Sequence, residues 1–212
     1  MRAAPLIPVA LGALLVGGCG LRDDGPRTTQ TRDLAAFTRI HNRASVDVRL
    51  RVGAPQTLRV VAGENVIDDV ATEVSDGTLE IRFDNDGWGE SDVAIEATVP
   101  SLAGIESSGS GEIDVDGVTG DAFHVRSDGS AEIDVDGAVA RVALELNGSG
   151  NADLAGLAAR FASVRVRGSG DADVRADQRL QIDVDGSGDV RYYGQPELSQ
   201  HVDGSGDVSQ AS

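Results

Sequence analysis

Carboxylates, with one amide at Asn151, recur at near-constant spacing through the second half of the chain, in two files. Glu112, Glu132, Asn151, Asp171, Asp189 and Asp207 form one, and Asp114, Asp134, Asp153 and Asp173 form the other. Paired carboxylates at a suitable separation can hydrolyse glycosides, one as acid and one as base or nucleophile. The same oxygens can collect a hard cation such as Ca²⁺, and Asp171, Asp173, Asp189 and Asp207 are the candidates for weak, nonspecific binding. Repetition argues against catalysis, because a catalytic pair is one special place and these files are uniform. Like charges on stacked strands about 4.8 Å apart also repel, so pairing with Arg126, Arg165, Arg167, Arg175 or Arg191 is the competing outcome.

Other reactive side chains are sparse. The serines Ser110, Ser130, Ser149, Ser169, Ser187 and Ser205 repeat as a set, with no general base reserved for any one of them. His41, His124 and His201 lie far apart without metal-ligand spacing. There is no lysine, which excludes a Schiff base, and Cys19 is the only thiol, which excludes a disulfide within the chain. The net charge of −17 argues against nucleic acid or an anionic bilayer surface as partner.

The files are positioned by a repeat. G-S-[GA] begins at Gly109, Gly129, Gly148, Gly168, Gly186 and Gly204, at spacings of 20, 19, 20, 18 and 18. Four residues after each first glycine stand Ile113, Ile133, Ala152, Ala172, Val190 and Val208. Four before stand Ile105, Val125, Leu144, Val164 and Ile182, with Gln200 as the exception. Apolar residues at every second position mean strands with one buried face. A period near 19 means a solenoid whose coils bury that face only by stacking. Each coil is expected to hold two short strands joined by a glycine-serine turn. The glycines are corners, and only Ala131 interrupts their second column.

Two other repeat folds fit less well. The apolar columns do not run in hexapeptides, as a left-handed β-helix requires. "RGSGDADV" places Ala172 where a calcium-binding nonapeptide would need an aspartate.

The N-terminus carries Arg2, an apolar run from Ala3 to Val16 too short to span a bilayer, and then Cys19. Val16-Gly17-Gly18-Cys19 resembles the lipobox of bacterial lipoproteins. That resemblance implies a signal peptide over 1–18, acylation of Cys19, for example with palmitate, and residence in the cell envelope outside the cytoplasm, on the outer membrane or periplasmic side. The polar, aperiodic residues 19–32 read as a flexible tether. A β-solenoid domain is expected over 33–212, with degenerate capping coils over 33–104 and regular repeats over 105–212. Residues 85–91 read as a protruding loop, with Trp88 as a local lid or a binding residue.

Phe37 and Ile40, the segment Val74, Gly77, Leu79 and Ile81, and the ladder of "SGSGEI", "GSGDADV" and "DGSGDVRYYGQP" together resemble the DUF2807 family, the auto-transporter adhesin head GIN domain. The resemblance implies an all-β, right-handed parallel β-helix and a role in adhesion, with no catalytic residues and no cofactor to carry over. The expected activity is non-catalytic binding of a cell-surface glycan or protein, with the membrane engaged only through the lipid. A β-helix enzyme acting on polysaccharide and a structural envelope protein are the alternatives. An uncovered last coil after Val208 makes the chain a candidate homo-oligomer. Cys19→Ser should abolish incorporation of labelled fatty acid and move the protein from the membrane to the soluble fraction.

Overall fold

The computed structural model describes residues 24–84 and 92–211. The expected signal peptide over 1–18, Cys19, and residues 85–91 with Trp88, expected as a loop, therefore lie outside the described residues. What is described is a parallel β-solenoid, with about five turns between the corners at Ser110 and Ser205.

Four long strands form its body: β9 (Glu112–Ser127), β10 (Glu132–Gly148), β11 (Asn151–Gly168) and β12 (Ala172–Gly186). Each runs in parallel register with the next. Each also bends midway, so its first half lies in one sheet and its second half in another. The expected pair of short strands per coil is thus one strand carried around a second corner. Register shifts fall at that corner, between Val135 and Gly137 and between Leu154 and Ala159. All the variation in repeat length collects there. The glycine-serine corner has constant length, while six to eight steps separate the flanking apolar positions across the second corner, as from Val174 to Leu180 and from Val115 to Phe123.

On one side the first sheet continues from the body through β3 (Asp47–Val52), β7 (Ala94–Val99), β4 (Thr57–Gly63) and β1 (Arg27–Thr31), and on the other through β13 (Val190–Tyr193) and β15 (Val208–Gln210). The second sheet adds β8 (Gly104–Ser107), β2 (Arg39–Asn42), β6 (Thr78–Phe83) and β5 (Val70–Ser75) at one end and β14 (Glu197–Gly204) at the other. The N-terminal coils are less regular than the repeat predicts. β2, β3, β6, β7 and β8 stack in parallel, but β1, β4 and β5 pair antiparallel. Residues 27–31, expected within the tether, are a strand because they complete the free edge of β4.

Inward side chains form files one coil per step. Ile40, Ile105, Val125, Leu144, Val164 and Ile182 are successive register partners, all buried. Val48, Ile113, Ile133, Ala152, Ala172 and Val190 face them from the first sheet. Burying one such aliphatic side chain is worth about 1.5–3 kcal/mol. A single coil holds few of them and is stable only between neighbours. Gln200 ends the first file exposed on β14.

At the glycine-serine corners the backbones approach so closely that a Cβ on the first glycine would clash with the neighbouring coil's backbone. A Cβ on Gly148 would fall on the carbonyl oxygen of Gly129, and one on Gly168 on that of Gly148. Those oxygens also accept the N–H of the next coil's serine: Ser149 to Gly129 at 3.2 Å, Ser169 to Gly148 at 2.9 Å, Ser187 to Gly168 at 2.8 Å. Positive φ is a second requirement at Gly148, Gly168, Gly186 and Gly204, though not at Gly109 and Gly129.

A seventh corner precedes the six. Gly109 stacks on Ala44 and Gly111 on Val46, and Ser110 Oγ donates to Ser45 Oγ at 3.0 Å. Asn42 holds this glycine-free corner, donating from Nδ2 to the Val46 carbonyl at 3.0 Å and accepting the Ala44 N–H at 3.2 Å.

Gly148→Ala should cost more than about 3 kcal/mol, since strain at positive φ adds to a clash with backbone. At Gly77, where φ is also positive but the space is open, the same change should cost only about 1–2 kcal/mol. Urea denaturation of both variants measures the difference. By the same logic Gly148→Val in the middle of the stack should lower the Tm more than Gly204→Val at its end.

Candidate binding face

The two carboxylate files behave differently once folded. In the file that follows the corner, Asn151, Asp171 and Asp189 each turn one side-chain oxygen toward the next coil. That oxygen accepts the backbone N–H of Asp171 at 3.0 Å, of Asp189 at 2.8 Å and of Asp207 at 2.8 Å. Asp47 does the same for Glu112 at 3.1 Å. These residues are therefore corner braces, and a short acid or amide directly after G-S-G is the signal that could have disclosed them.

The second file lies across the middle of the first sheet. Arg59, Glu96, Arg49, Asp114, Asp134, Asp153, Asp173 and Arg191 are successive register partners. Its ends are compensated. Arg191 grips Asp173 with two hydrogen bonds of 2.8 and 2.6 Å, and Arg49 lies 3.7 Å from Asp114. Asp134, in the centre, faces carboxylates on both sides. Partial desolvation, reinforced by Asp153, Asp136, Asp114 and Asp116, raises its pKa above the ordinary aspartate value. Its side chain remains exposed at the surface, so the energetic consequence is modest.

The remaining arginines do not neutralise this run. Arg126 binds Asp128 and Glu145, and Arg165 lies between Glu145 and Asp183, all on the second sheet. Asp128 is held below its ordinary pKa by its hydrogen bonds to Arg126. Arg175 donates to the Ala155 carbonyl and stacks on Tyr193. Among the described residues Arg167 has no ion pair. Of the calcium candidates, Asp171 and Asp189 brace corners and Asp173 is held by Arg191. Asp207 shares a shallow hollow with them, and no group of three His, Cys, Asp or Glu among the described residues converges on a metal position.

Next to the acidic run the same face opens into a polar groove lined by Arg49, Arg51, Thr57, Arg59, Glu96 and Asp116 among others. Its ion pairs are long: 3.7 Å for Arg49 to Asp114, 3.9 Å for Arg51 to Asp116 and 3.8 Å for Arg59 to Glu96. None is a hydrogen bond at such a length, so donors and acceptors stay available to a ligand. The serines of the corner ladder meet no histidine. His41 Nε2 lies 3.3 Å from Ser108 Oγ, outside that ladder, on an exposed surface.

This architecture is found in proteins described as adhesins. A family model described as "Putative auto-transporter adhesin, head GIN domain" matches residues 36–196. The chain belongs to the DUF2807 family. The fold is similar to that of a putative adhesin from Bacteroides fragilis, at 21% identity and TM-score 0.74, covering 88% of this chain and 97% of that one. A putative adhesin from Parabacteroides distasonis is 22% identical at TM-score 0.59, covering 89% and 98%. A putative lipid binding protein from the same species is 24% identical at TM-score 0.52, also covering 89% and 98%. No curated protein matches.

Because Asp134 holds its proton more tightly folded than unfolded, its contribution falls as pH rises from about 3.8 through the raised value. Asp134→Asn should therefore raise the Tm at pH 7 by roughly 1–4 °C. The gain should shrink in high salt and vanish below about pH 3.8, which thermal melts across pH will show.

Proposed function

We propose that this protein is a non-catalytic binding module, held outside the cytoplasm by acylation at Cys19, that engages a neutral cell-surface glycan through the polar groove of its first sheet. The observation that carries this reading is the set of long, exposed ion pairs at Arg49, Arg51 and Arg59. A guanidinium and a carboxylate that do not satisfy one another can each turn to sugar hydroxyls at little cost. Rigid strands fix their spacing, and Thr57 and Thr98 add hydroxyls at the groove wall. The adhesin description of the family supports binding at a surface. Calcium plays at most a diffuse part, screening the run from Asp114 to Asp153.

The test is a glycan-array and cell-surface binding screen of the full chain carrying Cys19→Ser, run with and without millimolar Ca²⁺. Binding to a restricted set of neutral glycans is expected, weakened at least tenfold by Arg51→Gln combined with Asp116→Asn. Ca²⁺ should raise the Tm slightly above that in monovalent salt of equal ionic strength. New reducing ends on a bound glycan would favour the polysaccharide-degrading enzyme instead. Absence of any glycan or cell-surface ligand would favour the structural envelope role.

A further inference from the structure

The outer surface of the second sheet carries an apolar hollow remote from the polar groove. Ala103, Ala122 and Ala143 form its floor, and Arg39, Arg141 and Phe161 stand around it. The hollow exists because Ala122 and Ala143 occupy outward positions on β9 and β10, with Ala103 just before β8, while His124, in register with Ala143, forms part of its wall. Its volume of about 590 Å³ is in the range of small-molecule sites. Phe161 is only half-buried, and the Arg160 guanidinium lies 5.8 Å from its ring centre.

The arginines of this sheet divide into paired and unpaired ones. Arg82, Arg126, Arg165 and Arg179 each meet a carboxylate. Arg39 and Arg141 have no ion pair among the described residues, although the chain carries a net charge of −17. Arg141 lies in register between Ala122 and Phe161, so its positive charge adjoins the apolar floor directly.

We propose that this hollow binds a single-chain aliphatic carboxylate, its chain lying over Ala122, Ala143 and Phe161 and its carboxylate held by Arg141, with Arg39 adding positive charge at the far rim. A guanidinium beside an uncovered apolar strip matches an amphipathic anion in both parts. The strands beneath are hydrogen-bonded on both sides, so a peptide could not add itself as a further strand. A two-fold contact with a second copy would bring unpaired guanidinium groups together. An anionic bilayer would be repelled by the rest of the chain.

Titration calorimetry of the full chain carrying Cys19→Ser with decanoate below its micelle concentration tests the proposal. Saturable binding of one decanoate per chain is expected, at least tenfold tighter than decanol. Arg141→Gln should weaken it about tenfold, and Phe161→Ser should weaken it as well. Arg82→Gln, whose partner is Glu73 and which does not line the hollow, should leave it unchanged. Arg141 is exposed, so its substitution should leave the Tm unaltered and decides the matter if Phe161→Ser unfolds the chain. Arg51→Gln with Asp116→Asn should not affect decanoate, which separates this site from the glycan groove. The proposal is overturned by absence of saturable binding, by equal affinity for decanol, by an unaffected Arg141→Gln variant, or by binding only to phosphatidylglycerol vesicles or to acidic peptides.

Discussion

The carbonyl oxygen of each corner glycine lies where the next coil's glycine would carry its Cβ, and that contact governs the whole stack. The oxygen accepts the following serine N–H, so one atom excludes a side chain and supplies a hydrogen bond. With the corner pinned, strands on either side stack in exact alignment, and inward residues meet their own kind one coil away. The carboxylate braces at Asp171 and Asp189 add a second link between coils at the same place. Core, braces and surface files are all consequences of that close approach.

Such strict translation imposes electrostatic costs. Any outward residue that repeats is placed beside its copy, and the chain handles this differently on its two faces. On the second sheet Glu106, Arg126, Glu145, Arg165 and Asp183 alternate in sign along one file. On the first sheet Asp114, Asp134, Asp153 and Asp173 do not alternate, and the centre of that run carries a raised pKa. An uncompensated stretch bordered by loosely paired arginines is a surface on which an incoming ligand can improve the balance.

The corners and core files were legible because each coil repeats the same offsets from its glycine. Ala44 shows the limit of that legibility. Ile40, Val48 and Leu50 stand at the proper offsets from it, but the corner has no glycine and lies 65 residues before Gly109. Strand β1 was hidden because its polar composition looks like a tether, while its role is to close an edge. The second corner has no constant motif, and the hollow around Arg141 and Phe161 depends on how coils of unequal length align beyond it. Only lateral register discloses that alignment. The acidic files were visible, but their division into braces and an uncompensated run depends on which oxygen faces which N–H.

The hydrogen bonds between coils run roughly parallel to the axis of the stack. Tension applied from end to end would therefore meet them a strand at a time, and the solenoid would unzip coil by coil at modest force. Tension applied along the strands would load a whole row of bonds in shear and meet far greater resistance. The same molecule is thus soft in one direction and stiff in the other, so the load it withstands depends on the direction of pull.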